Sequence, residues 1–205
     1  MTDAKYTHLL VIVDRSGSMS GIKNDMIGGL DQFFAEQAKD EGVTLVDYVQ
    51  FDNEYEVVFT DTPVADAKAQ LSPRGSTALL DAVGKGATDL GKKLANLPEA
   101  RRPGNVIVVV VTDGYENASK EWKADGVRAL IKEQEEKWNW TFTFLGANMD
   151  AVAVGATFGV SAGYSMTYDT GNTYAMASSL SSNVTRTKGG DRRGYTQEER
   201  ESQKA

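Results

Sequence analysis

The sequence has no cysteine and a single histidine, His8, among its 205 residues. That excludes a disulfide framework and a zinc site built from Cys and His, so any metal here is bound through oxygen. No apolar run approaches membrane-spanning length, and the opening Met1-Thr2-Asp3-Ala4-Lys5-Tyr6 lacks the basic-then-apolar layout of a secretory signal. A soluble cytoplasmic protein is the expectation, one that a processed or phage-borne chain would share. Phosphate-binding glycine loops are missing too: no G-x-G-x-x-G follows the first apolar run and no G-x-x-x-x-G-K-S/T occurs, which weakens a nucleotide as ligand. Residues 186–205 carry six basic and four acidic side chains, which leaves a body of −9 beneath the formal net charge of −7. Such a body lacks the basic footprint that nucleic-acid binding needs.

What is present is an alternation of strand-like and helix-like runs, the pattern of a parallel sheet covered on both faces. Residues 9–13 read as the central strand. Ile22, Met26, Ile27, Leu30, Phe33, Phe34 and Gln37 then recur at helical spacing, which predicts an amphipathic helix over 21–39. A second strand over 43–51 turns at 52–54 and returns over 55–59 as an antiparallel edge strand. A short helix is expected over 64–70. Ser76 or Thr77 is placed to cap the next helix, whose apolar stripe runs Leu79, Leu80, Val83, Ala87, Leu90, Leu94 and Leu97. Residues 105–112 include six consecutive apolar side chains, five of them valine, as in a strand buried on both faces. A charged helix over 121–137, a strand over 141–145, a helix over 151–158, a strand over 164–168 and a helix over 173–184 complete the body. The fold class is thus α/β: a single Rossmann-like doubly wound domain over 1–185, with a mostly parallel sheet, one antiparallel edge strand and helices on both faces. No internal repeat is visible. Residues 186–205 are expected to form a flexible polar tail.

The chemistry lies at strand ends. Asp14-Arg15-Ser16-Gly17-Ser18 follows the first strand and presents a carboxylate and two hydroxyls within five residues. Asp113 follows the valine-rich strand, and Thr77 lies in Gly75-Ser76-Thr77-Ala78-Leu79-Leu80-Asp81-Ala82. Oxygen donors of this kind suit a hard divalent cation, since Mg²⁺ takes near-octahedral oxygen and keeps several waters. Ligands of open α/β sheets bind beyond the carboxyl ends of the strands where strand order reverses, and Asp14 and Asp113 both fall at that edge. Taken singly, Asp14 and its serines would equally make a turn, because Asp and Ser hydrogen-bond their own backbone.

Asp-x-Ser-x-Ser, Thr and Asp in this order resemble the metal-ion-dependent adhesion site (MIDAS) of von Willebrand factor A domains, and the likeness covers residues 5–184. The stretches 75–82 and 111–117 are similar to those of bacterial and phage members. The resemblance implies that Ser16 and Ser18 bind the metal directly. It makes Thr77 a direct or water-mediated ligand depending on state, and has Asp14 and Asp113 act mainly through water. It further implies Mg²⁺, or Mn²⁺ or Ca²⁺, as the cofactor, and an open coordination position for the Asp or Glu of another protein. No nucleic-acid or membrane partner is implied, and the additional domains, anchor or AAA-type ATPase segment of larger members are not expected. The competing reading is a metal-dependent phosphatase or phosphotransferase in which Asp14 attacks phosphorus. Against it, Ser16 stands where such enzymes place a second acidic residue, and no lysine sits at an obvious strand end. A scaffold with a vestigial site is the third.

Neighbouring residues divide between site and structure. Arg15 would either pair with an incoming acidic group or stay a solvated loop charge. Asp81 would hold a ligand water or favour the start of its helix. Asp52 and Asp150 are expected to make turns, His8 to pack at the strand, and Trp122, Trp138 and Trp140 to pack around a helix. In the tail, Thr196-Gln197-Glu198-Glu199 fits a capping box ahead of a short helix over 197–203. That helix would order on a partner or back against the acidic body, guided by Arg192 and Arg193, or stay unstructured.

Overall fold

The computed structural model describes residues 2–203. β1 (Asp3–Asp14) is buried without a break from Thr7 onwards. A 3-10 stretch (Gly17–Ile22) leads into α1 (Lys23–Gln37), whose buried Met26, Leu30, Phe33, Phe34 and Gln37 form the stripe read from the sequence. β2 (Val43–Phe51) and β3 (Tyr55–Pro63) make the antiparallel pair. α2 (Leu79–Ala95), β4 (Pro103–Thr112), α3 (Ala124–Trp138), β5 (Thr141–Ala147), α4 (Ala151–Phe158), β6 (Ser165–Tyr168) and α5 (Thr173–Lys188) follow. Left-handed residues terminate two of these helices, Asn139 after α3 and Gly159 after α4.

The six strands lie in the order β3-β2-β1-β4-β5-β6, all parallel except β3. The chain builds outward from β1 through β2 to β3, then crosses back to place β4 on the other side of β1. The reversal therefore falls between β1 and β4. Side chains alternate across the strands. Leu9, Val11 and Val13 face α1 and α5, whereas Leu10 and Ile12 face α2, α3 and α4. Gly84 permits one close approach on the second face: a Cβ there would lie 2.2 Å from Cδ2 of Trp122.

Residues 64–70 are not helical. Residues 64–66 make a turn, and beyond it the buried Ala67 and Ala69, continued by Leu71, recur at a spacing of two, which is an extended pattern. Side chains from elsewhere take the free backbone groups: Tyr48 donates to Gln70 O (2.6 Å) and Asp31 Oδ1 accepts from Ala69 N–H (2.8 Å).

The C-terminal segment also differs from the sequence expectation. α5 runs through Lys188, so a boundary at residue 185 falls inside a helix, and the segment beyond it folds back on the sheet. Tyr195 is buried, with its hydroxyl 2.8 Å from Thr143 Oγ1 and its N–H donating to Gly163 O (2.8 Å). The capping box is formed at the start of α6 (Gln197–Glu201), and Arg186 grips Glu199 through two bonds of 2.6 and 2.8 Å. Arg192 reaches Asn139 O (3.0 Å), while Arg193 pairs with Asp191 beside it. One aromatic anchor and paired charges hold a segment whose composition is polar. Tyr195→Ala is expected to cost about 3 kcal/mol in urea unfolding, as removal of a large buried ring does. A midpoint equal to wild type would show that the segment is not docked in solution.

Candidate metal centre

The carboxyl ends of β1 and β4 bring all five sequence-predicted residues together. Asp14, fully buried, accepts from Ser16 N–H at Oδ1 (2.6 Å) and from Thr112 Oγ1 at Oδ2 (2.5 Å). Ser16 Oγ and Ser18 Oγ lie 3.0 Å apart, and Ser18 donates to Asp113 Oδ1 at 2.6 Å. Thr77 completes the set at Gly114. A Cβ on that glycine would lie 2.9 Å from Thr77 Oγ1, 3.6 Å from Asp14 Oδ2 and 3.8 Å from Ser16 Oγ. Three oxygens from two distant segments thus converge on a third, at a point that glycine leaves open.

Backbone contacts hold these loops in register. Gly17 N–H donates to Gly75 O (3.1 Å) and Arg74 N–H to Arg15 O (2.6 Å), joining the serine loop to the threonine loop. Asn117 clasps Thr77 from the other side: its Oδ1 accepts from Thr77 N–H (2.9 Å) and its own N–H donates to Thr77 O (3.0 Å). The expected Ser76 or Thr77 cap on α2 is not formed, since the N-cap position is Ala78. Glu116 Oε2 instead accepts from Leu80 N–H (2.9 Å) and Ser119 Oγ from Asp81 N–H (3.0 Å). Asp81 neither faces a ligand nor merely favours its own helix. Its carboxylate takes the N–H groups of Lys120, Glu121 and Trp122 at 2.7 to 3.0 Å.

The strand order, the layers and the crevice between β1 and β4 have counterparts among solved structures. One is proximal thread matrix protein 1 from the mussel byssus, with a TM-score of 0.64 and 17% identity over 90% of this chain and 47% of that one. A second structure of that protein, with a zinc-occupied MIDAS motif, gives 0.60 and 15% over 89% and 47%. The von Willebrand factor domain of the type V pili tip protein Mfa5 from Porphyromonas gingivalis gives 0.63 and 12% over 94% and 98%. The chain has the von Willebrand factor A fold. It spans about half the length of the mussel protein. No family model and no curated protein matches its sequence.

At this sheet edge the charges are arranged unevenly. Burial, with the nearby charge of Asp113 adding to it, pushes the Asp14 carboxyl up to about 6, against the pull of hydrogen bonds from Thr112 and Ser16. Burial raises Asp113 as well. Arg15 does not compensate them, nor is it solvated: its buried guanidinium pairs with Asp52 (3.3 Å) and Glu56. An all-oxygen donor set, buried at Asp14, Ser16 and Thr77 and open to solvent at Ser18, with two carboxylates held above their usual range, is one that a hard divalent cation fits. The other cluster able to surround a cation among the described residues is His8, Asp47 and Asp61. The Lys93 ammonium already lies there, 3.0 Å from both Asp47 oxygens and 2.6 Å from Asp61 Oδ1. Burial would raise Asp47, but the bonds from His8, Asp61 N–H and Lys93 outweigh it and hold the carboxyl at about 2. His8 lies six residues before Asp14 along β1, roughly 20 Å from the serine loop. It is a packed residue, as expected, and Asp150 caps α4.

Thr112, Glu116 and Asn117 are the residues that sequence reading passed over. Their partners lie 98, 36 and 40 positions away, and no local pattern links them. In the absence of divalent cations, Asp14 binds its proton more tightly in the folded chain than at the ordinary value of 3.8. Its contribution to stability is complete below about pH 4 and lost as pH rises through about 6, a change of about 3 kcal/mol. In urea titrations, the stability of wild type relative to Asp14→Asn should fall by about that much between pH 4 and pH 6.5. A difference that stays constant across the window would mean an ordinary carboxyl.

Proposed function

We propose that this domain is a metal-dependent protein-interaction module, with Mg²⁺, or Mn²⁺ or Ca²⁺ in its place, at the strand-end cluster. The observation that carries it is the convergence of Asp14, Ser16, Ser18, Thr77 and Asp113, three segments apart in sequence, at the reversal point of the sheet. When bound, the cation supplies an open coordination position for an Asp or Glu side chain of a partner. Ser16 and Ser18 are the direct ligands in this reading. Their neutral hydroxyls leave the positive charge largely uncancelled, which favours an external carboxylate. Asp14 shapes the floor of the site. Both of its oxygens are taken by donors, Ser16 N–H and Thr112 Oγ1, an arrangement that suits holding rather than attack on phosphorus. At Thr77 and Asp113, exchange between direct and water-mediated contact would tune the pull on the partner.

The similar mussel and pilus-tip structures support an adhesive or matrix setting as readily as a cytoplasmic one. No helix among the described residues is long and apolar enough to cross a membrane.

Calorimetric titration with Mg²⁺ tests the assignment directly. Asp14→Ala and Asp113→Ala should each weaken binding about tenfold or more while leaving the fold intact. Affinity should also fall as pH drops below about 6, where proton and cation compete for Asp14. If both variants bind Mg²⁺ as wild type does, the cluster is not the site. Saturable, Asp14-dependent hydrolysis of a phosphoryl substrate would overturn the noncatalytic reading.

A further inference from the structure

Tyr168 is the last residue of β6, at the same sheet edge as Asp14 and Thr112. Strand register places it beside the site. Thr112 pairs with Gly146 and Ala147 with Tyr168, so continuing the ladder by one residue sets Asp113, Ala147 and Tyr168 in a row. Only the small Ala147 separates the two ends, a backbone span of about 10 Å. The ring lies on the face that holds Val13, Val111 and Met19 of the serine loop. Its hydroxyl is buried and has no hydrogen-bond partner. Burial first, then the charges of Asp113 and Asp14, push its pKa up. A buried hydroxyl left unpaired is costly, and native interiors rarely keep one without use.

We propose that Tyr168 is a positioning residue of the metal centre, its hydroxyl donating to the Asp113 carboxylate oxygen that Ser18 does not hold when the cation is in place. The proposal rests on the metal-binding reading above. It assigns to β6, a strand with no part in the sequence motif, the task of fixing the orientation of Asp113. The hydroxyl is costly in the metal-free chain and useful in the loaded one, so its removal should have effects of opposite sign in the two states.

The test is calorimetric titration of the full chain with Mn²⁺, together with metal-free thermal unfolding, on wild type, Tyr168→Phe, Tyr164→Phe and Asp14→Ala. Tyr164 is the control, since its hydroxyl is also buried and unpaired but sits before β6, at the opposite edge of the sheet. Tyr168→Phe should bind Mn²⁺ about tenfold more weakly while unfolding, metal-free, at or above the wild-type temperature. Tyr164→Phe should bind as wild type does. Wild-type affinity in Tyr168→Phe alongside loss in Asp14→Ala overturns this assignment alone. Wild-type affinity in Asp14→Ala overturns the metal reading and this assignment with it. A metal-free midpoint of Tyr168→Phe below wild type makes the hydroxyl structural and overturns the positioning role.

Discussion

The withdrawal of one carboxylate from water, Asp14 at the carboxyl end of β1, is the constraint around which the rest of the site is arranged. β1 is flanked by two parallel neighbours, so the chain leaves all three strands at the same edge and departs from β1 and β4 to opposite sides. A crevice opens between those departures, and Asp14 is its floor. The charged form is disfavoured there by desolvation, and two hydrogen bonds offset only part of the cost. Because Arg15 is directed to Asp52 and Glu56, the neighbouring guanidinium does not offset the remainder.

The walls of the crevice depend on each other. The start of α2 carries backbone N–H groups that its own turn cannot satisfy. Glu116 and Ser119, on the loop after β4, accept them, while Asp81 on α2 accepts three N–H groups from that same loop. Through this exchange the segment bearing Thr77 and the segment bearing Asp113 behave as one body. Displacing either wall exposes unpaired groups on both, so the spacing of the candidate ligands is set by backbone satisfaction as much as by side-chain choice.

Much of this was legible in the sequence where the signal is local or periodic. The unbroken apolar runs of β1 and β4, the stripes of α1 and α2, and the Asp14, Ser16, Ser18 spacing are read without knowledge of the fold. Thr77 and Asp113 were found because each sits in a recognisable phrase at an element boundary. The failures share a cause in contacts distant along the chain. Residues 64–70 contain enough small apolar residues for a helix, yet they turn at 64–66 and then run extended, with Asp31 and Tyr48 bonding Ala69 and Gln70. Ser76 and Thr77 fit a cap by type, but Glu116 had already taken that role. The C-terminal segment has no stripe at all, and its docking depends on Tyr195 and on Arg186 meeting Glu199 across the break between two helices.

That docked segment has a consequence for assembly. β6 is the outer strand of the sheet, and its approaches are occupied: Arg200 donates to Ser165 O, Ala162 O and Gly163 O, and Tyr195 N–H takes Gly163 O as well. At the far end, β3 is broken by register shifts against β2, turns through the left-handed Asp61 and stops at Pro63. Both margins are poor templates for a strand from another chain. Recruitment of a strand from another molecule by sheet extension is therefore disfavoured at either side.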